Sequence, residues 1–342
     1  GAFGSQPGDV SIAAGGSVTG HYVVVNGTGV INAGQDVGSD YQNVALSLVK
    51  GSWSLNAGWD PVTASVISGQ GDIYLQEVRN PNGVFNTQGT ISTSQHLFNY
   101  DPLAAVNLTA GDGVYLTGSS LPRSDAVPII LPPSLNISAG AGGVTLEDNF
   151  TLFPSSYGNL QITTTQGGNF SSGSDSGLTY ELLMSDSVQT HWFISNSGTQ
   201  PFSSTDHGST PAELNNSSPV MINIDGSMNN LILQTTKATL ITVGGDMTGC
   251  GFYGQNLHAG DITSIDVAGQ IFNPGSFNYV TLNQGIQNLP LTDLPPGTIN
   301  NWQTVLTLAV DPARVASLQI PVGVDPSQYA GYINQVLLFG NS

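Results

Sequence analysis

Along much of the chain apolar and polar residues alternate, and the alternation repeatedly closes on a small or acidic residue followed by glycine. The phrase reads Val10-Ser11-Ile12-Ala13-Ala14-Gly15, Val30-Ile31-Asn32-Ala33-Gly34, Ser54-Leu55-Asn56-Ala57-Gly58, Val106-Asn107-Leu108-Thr109-Ala110-Gly111 and Leu135-Asn136-Ile137-Ser138-Ala139-Gly140. It returns as Ile222-Asn223-Ile224-Asp225-Gly226, Ile241-Thr242-Val243-Gly244-Gly245 and Ile265-Asp266-Val267-Ala268-Gly269. A period of two sends alternate side chains to opposite faces, so these segments predict strands. Between closing glycines, Gly15 to Gly34 and Gly226 to Gly245 both span 19 residues, while Gly34 to Gly58 and Gly245 to Gly269 both span 24. A unit that short cannot bury its own apolar face and must stack on its neighbours. The glycines suit corners where the chain turns or passes close to the next coil. Asn and Asp beside them suit tight turns closed on their own backbone. The pattern predicts an all-β fold, a right-handed parallel β-helix (β-solenoid) with a short helical C-terminal segment.

The pattern also divides the chain. Residues 1–273 read as the β-solenoid, with loops leaving it at Asp60–Gln70 and Gly118–Pro133, where Pro, Ser and Asp gather. Residues 173–219 lack the phrase and read as an elaborated loop or side hairpin, with Glu181-Leu182-Leu183-Met184 and His191-Trp192-Phe193-Ile194 as apolar islands. Residues 274–342 read as a C-terminal cap or docking segment with short helices. There Pro295-Pro296-Gly297 breaks the chain, and Asp325-Pro326 precedes Tyr329, Tyr332, Ile333, Val336 and Leu337 at helical spacing.

Composition narrows the function classes. Only 8% of the 342 residues are charged, and 5 Lys+Arg against 23 Asp+Glu leave a net charge of −18. Nucleic acid is excluded as an expected partner because phosphate contacts need clustered cations, and an anionic membrane surface is excluded for the same reason. No run of 18 apolar residues predicts membrane insertion. The opening residues show no signal-peptide pattern, and the chain reads as a piece of something longer. The acidity keeps a strand-rich Gly/Ser/Thr surface from self-association. Corner carboxylates binding Ca2+ are the sharper alternative, but neither a Gly-Gly-x-Gly-x-Asp array nor an Asp-x-Asp-x-Asp loop is present. No cofactor or metal site is therefore expected. The single cysteine, Cys250, reads as a packed side chain.

Candidate chemistry is sparse. A β-helical glycosidase needs two carboxylates flanking the scissile bond, and the nearest constellation is Asp206, His207 and Glu213, supported by Asp186 and His191. A lyase wants a cation to stabilise a uronate, yet Lys50, Arg79, Arg123, Lys237 and Arg314 do not cluster along the sequence. His21, His96 and His258 are scattered, with no two-His metal spacing. Trp53 and Trp59 either stack on sugars from an exposed wall or close a coil.

Gly20-His21-Tyr22-Val23-Val24-Val25-Asn26-Gly27-Thr28-Gly29, Leu75-Gln76-Glu77-Val78-Arg79-Asn80-Pro81-Asn82-Gly83, Gly140-Ala141-Gly142-Gly143-Val144-Thr145-Leu146 and the Gly-Asp-Met coil at 245–247 resemble segments of filamentous-haemagglutinin-like giant secreted or surface proteins of environmental bacteria. Asn80-Pro81-Asn82-Gly83 is also similar to a motif of their secretion domains, although it is equally an ordinary turn sequence. The resemblance implies an extracellular or cell-surface β-helical stalk acting in adhesion or as structural matrix. Its partners would be neighbouring modules of a longer chain, surface glycans or copies of itself. A carbohydrate-active β-helix, polysaccharide lyase or glycosidase, is the main rival reading, and a self-assembling extracellular filament subunit is the third.

Overall fold

In the computed structural model, residues 6–81, 95–118, 129–173, 179–188, 191–193 and 210–272 are described. The chain divides into two compact units, Gly1–Phe272 and Asn273–Ser342. The anticipated cap at 274–342, with its helices, lies outside the described residues.

All eight glycine-closed phrases are strands, or the ends of strands, on one run of a parallel sheet. Val10–Ala14, Gly20–Ala33, Val44–Ala57, Ala105–Ala110, Ser134–Ala139, Asn159–Thr164, Val220–Ile224, Thr239–Val243 and Ser264–Val267 follow one another as neighbours. The register explains the spacing of the glycines. Val10 pairs with Gly29 and Val220 with Thr239, nineteen residues on; Gly20 pairs with Val44 and Leu240 with Ser264, twenty-four on. One side-chain column therefore runs Ile12, Ile31, Leu55, Leu108, Ile137, Ile162, Ile222, Ile241, Ile265. From Ile31 to Ile241 it is buried, and each such side chain contributes about 1.5–3 kcal/mol by leaving water.

A second run carries a matching column: Val18, Val37, Ile73, Val114, Val144, Phe170, Met228, Met247, Ile271. The runs meet at Val44–Ala57, which pairs with Ile73–Arg79 through its first residues and with Ala105–Ala110 through its last. A separate five-stranded parallel sheet, Ile129–Leu131, Phe150–Leu152, Tyr180–Met184, Leu231–Gln234 and Gly251–Tyr253, supplies the remaining wall. Its Phe150, Leu182 and Leu233 join the same core.

The right-handed β-helix expected from the repeat needs correction. The described residues contain no helix, and the repeating units do not make separate flat sheets. Two fourteen-residue strands, Gly20–Ala33 and Val44–Ala57, run extended well ahead of the glycine-closed phrases that end them. Because Val44–Ala57 then pairs with Ile73–Arg79 at one end and Ala105–Ala110 at the other, the two runs fuse into one 16-stranded sheet. The terminal strands of its path, Ser264–Val267 and Ile271–Phe272, are three residues apart in the chain, so the sheet curls back and comes near to closing like a barrel wall. The elaborated region around 173–219 is also more integrated than anticipated. Tyr180–Met184 is an interior strand of the five-stranded sheet, and His191–Phe193 pairs antiparallel with Gln95–Leu97.

Where the strands do turn, glycine is required by close approach. A Cβ on Gly34 would lie 2.5 Å from the Gly15 carbonyl oxygen, and one on Gly140 only 2.1 Å from that of Gly111. The acids and hydroxyls beside these corners cap the next layer's backbone rather than their own. Asp36 accepts from the Asp72 amide at 3.0 Å, Asp72 from Gly113 at 2.7 Å and Asp112 from Gly142 at 2.7 Å. Asp246 accepts from Gln270 at 2.8 Å, and the Ser227 hydroxyl from Asp246 at 3.0 Å.

Candidate functional site

The solvent face of the first run is mostly uncharged, with Lys50 and Asp266 as the charged side chains on its strands. Asn56 donates to Asn32 at 2.8 Å and Asn136 to Asn107 at 2.8 Å, forming amide columns between the apolar ones. Trp53 is not part of that face. It is fully buried, donates its indole N–H to the Ser47 carbonyl at 3.0 Å, and fills the space left by Gly29, where a Cβ would sit 2.3 Å from the ring. Trp59 is half-buried in a small antiparallel ladder, Trp59–Asp60 with Ser65–Val66, and the chain beyond it rejoins the stack, Ile67 donating to Gly58 and Gly69 to Gly111. Cys250 packs against the core, and burial pushes its thiol up.

A concave site lies at the C-terminal ends of the five-stranded sheet. Tyr180–Met184, Leu231–Gln234 and Gly251–Tyr253 deliver the following residues to one rim, around a cavity of about 300 Å³ lined by Leu183, Met184, Asp186, Gln234, Thr235, Thr236, Tyr253, Gly254 and Gln255. Leu183 and Met184 are buried, whereas the Tyr253 side is open, the residue being 64% exposed. Asp186 is buried and accepts from the Gln255 amide nitrogen at 2.9 Å. The Gln234 amide nitrogen is held in the same way by Glu181.

Behind this wall sits a buried ion pair. Glu213, on the turn Pro211–Asn216, lies 3.4 Å from the Lys237 ammonium, and their side chains are only 2% and 3% exposed. Lys237 also donates to the Gly158 carbonyl at 2.7 Å, which accepts from Asn216 at 3.1 Å as well. Burial pushes the Glu213 carboxyl up to about 7, against the pull of the Lys237 charge, while nearby Asp186 pushes it further up. Burial likewise lowers Lys237, against Glu213. The Thr236 hydroxyl lies close enough to pull the carboxyl down, but neither it nor Oε2 of Glu213 has a hydrogen bond of regular geometry.

Of the carboxylates and imidazole expected to act together, Asp206 and His207 lie outside the described residues, and only the backbone of His191 is described. Glu213 titrates in a range suited to proton transfer, but it faces Lys237 and does not line the cavity, whereas a general acid must reach the reacting atom. Asp186 is the one carboxylate among the described lining residues. Sequence reasoning missed Lys237 as its partner, since 24 residues and three strands separate it from Glu213. The one available signal was a lone cation inside Thr235-Thr236-Lys237-Ala238-Thr239.

The other described cations are also paired, Lys50 with Asp101 at 3.7 Å and Arg79 with Glu77 at 2.5 Å. Among the described residues no group of three or more His, Cys, Asp or Glu side chains is placed to hold a metal ion. No described helix is long and apolar enough to cross a membrane. Comparison with protein-family models, curated proteins and solved structures finds no match to this chain.

Proposed function

We propose that the chain is a structural and adhesive wall of a larger extracellular or cell-surface protein, without catalytic turnover. The observation that carries this reading is the pair of nine-membered side-chain columns running the length of the stack in unbroken parallel register. Eight steps of about 4.8 Å extend the first column about 40 Å. Backbone hydrogen bonds, apolar columns and amide columns all run in that one direction, which suits a part that carries load or holds a binding surface away from its anchor. The outer face offers mainly amides and hydroxyls, groups that stay hydrated and meet a glycan through hydrogen bonds. The neighbouring modules, surface glycans or further copies that such a wall meets are partners of this same reading.

A carbohydrate-active site is the second reading, because the cavity with Asp186 is concave and polar. The described residues favour binding over cleavage, since they bring one carboxylate to the cavity where hydrolysis needs two across a glycosidic bond. The purified chain is to be incubated with neutral and acidic polysaccharides, and reducing ends and unsaturated uronates followed over time beside a glycan-binding array. Glycan retention with no new reducing ends or unsaturated uronates is expected. Sustained release of either product would overturn the proposal.

A further inference from the structure

We infer that the cavity at the end of the five-stranded sheet is a binding site for one neutral, polyhydroxylated ring of pyranose size. This deepens the adhesive reading by naming the ligand class and where it docks, but it rests on the geometry of the cavity itself.

The first argument is shape. A volume of about 300 Å³ is at the small end of ligand pockets and admits a single sugar ring rather than a drug-sized or nucleotide ligand. The second is the division of the lining. Leu183 and Met184 form a buried apolar floor, and the exposed Tyr253 offers a ring at the open side. A pyranose presents apolar C–H faces and an equator of hydroxyls, and an aromatic ring with one wet edge meets such a face well.

The third argument is the state of the polar groups. Gln234 and Gln255 each have their amide nitrogen fixed by a carboxylate, Glu181 and Asp186 respectively. That fixes the plane of each amide. No described residue takes the remaining carbonyl oxygens, so each amide presents an acceptor, alongside its second N–H, to whatever enters. Paired donors and acceptors held in one orientation suit vicinal hydroxyls, which both give and receive hydrogen bonds.

Charge sets the specificity. Asp186 lines the cavity, and the Lys237 ammonium is committed to Glu213 and the Gly158 carbonyl. No lysine or arginine lines the described cavity. Among the described lining residues a uronate carboxylate would therefore meet the Asp186 carboxyl and no lysine or arginine. The site selects glucose-, galactose-, mannose- or N-acetylhexosamine-like rings over glucuronate and galacturonate.

The test titrates the full chain with the methyl glycosides of glucose, galactose, mannose and N-acetylglucosamine, and with methyl glucuronide and methyl galacturonide, using saturation-transfer NMR and calorimetry. At least one neutral glycoside is expected to bind at millimolar concentration or better, with both uronides at least tenfold weaker. Tyr253→Ala and Gln255→Ala are each expected to weaken binding tenfold or more while leaving the melting temperature within 2 °C of the parent. Tyr253 is largely exposed, so its variant keeps the test open should Gln255→Ala unfold the rim. Absence of binding by every neutral glycoside, a preference for uronides, or binding undiminished in Tyr253→Ala would each overturn the inference. Loss of this site alongside glycan retention without cleavage would leave the structural and adhesive proposal standing.

Discussion

Replacing Lys237 by methionine keeps most of the side-chain volume but removes the cation that faces Glu213. The carboxyl stays 2% exposed beneath the turn Pro211–Asn216, and the Gly158 carbonyl loses its 2.7 Å donor. Breaking a buried pair in this way costs about 3–5 kcal/mol, equivalent to a melting temperature lower by about 6–15 °C in a unit of this size. The loss carries a pH signature. Because the folded-state value of Glu213 is raised from 4.5 to about 7, its contribution is fully present below the ordinary carboxylate value and is lost as pH rises through the folded one. The Lys237 charge pulls that value down, so without it the loss extends to higher pH, at up to about 1.4 kcal/mol per pH unit. Comparing Lys237→Met with the double variant Glu213→Gln/Lys237→Met isolates Glu213, since both lack the lysine. Chemical denaturation from pH 5 to 9 is expected to show the two converging at low pH and separating as pH rises, the double variant being the more stable. A Lys237→Met loss below about 1 kcal/mol, or curves that stay parallel across pH, would refute a buried, mutually dependent pair.

Three further outcomes follow from the stack. Ile137→Ala opens a cavity in the middle of the first column, where Ile137 is 4% exposed; a loss of about 2–5 kcal/mol is expected in urea denaturation. Gly29→Ala places a Cβ 2.3 Å from the Trp53 ring, so the indole must move, and the fluorescence of that buried tryptophan is expected to shift to the red with a lower melting temperature. At Asp72, burial raises the carboxyl, against the Gly113 N–H, and Asp112, Asp36 and Asp40 raise it further. Its contribution is present at acid pH and declines as pH rises through the raised value, so Asp72→Asn, which retains an acceptor for Gly113, is expected to flatten part of the stability loss as pH rises above the ordinary carboxylate range.

The strands of the first run were legible because backbone pleat and burial impose the same period of two, and the closing glycine marks each turn. The register was legible too, in the repeated intervals of 19 and 24. Asn159–Thr164 escaped because it ends on Thr164-Thr165-Gln166-Gly167-Gly168, where a Thr164 hydroxyl bonded to Gly168 at 2.6 Å takes the place of the small residue. The fusion of two runs into one curling sheet was not legible. It depends on Gly20–Ala33 and Val44–Ala57 staying extended, where Gly27 and Gly51 hold left-handed or extended-positive φ of 135° and 99° and stack so closely that neither admits a Cβ.

The corner acids illustrate a similar limit. Asp36 and Asp72 look like turn residues in sequence, yet their partners are amides 36 and 41 residues away. Behind the cavity wall, Glu213 was visible as a carboxylate in a polar loop. Lys237, Gln234, Gln255 and Tyr253 carried no such mark, because their roles come from neighbouring strands bringing distant residues to one rim. Trp53 was ambiguous between surface and interior, and Gly29, paired with it one strand away, is what decides for the interior.

The account stands on one uninterrupted register, and distance measurement along an outward column tests it directly. Asn32 and Thr242 are six steps apart through Asn56, Thr109, Ser138, Thr163 and Asn223. With spin labels on cysteines placed at these two positions in a Cys250→Ser background, pulsed dipolar spectroscopy is expected to give a single narrow distribution near 29 Å, from about 4.8 Å per step and broadened only by the label tethers. A distribution spread over tens of ångströms, or one centred beyond about 45 Å, would contradict a continuous parallel wall and remove the basis of the proposed function.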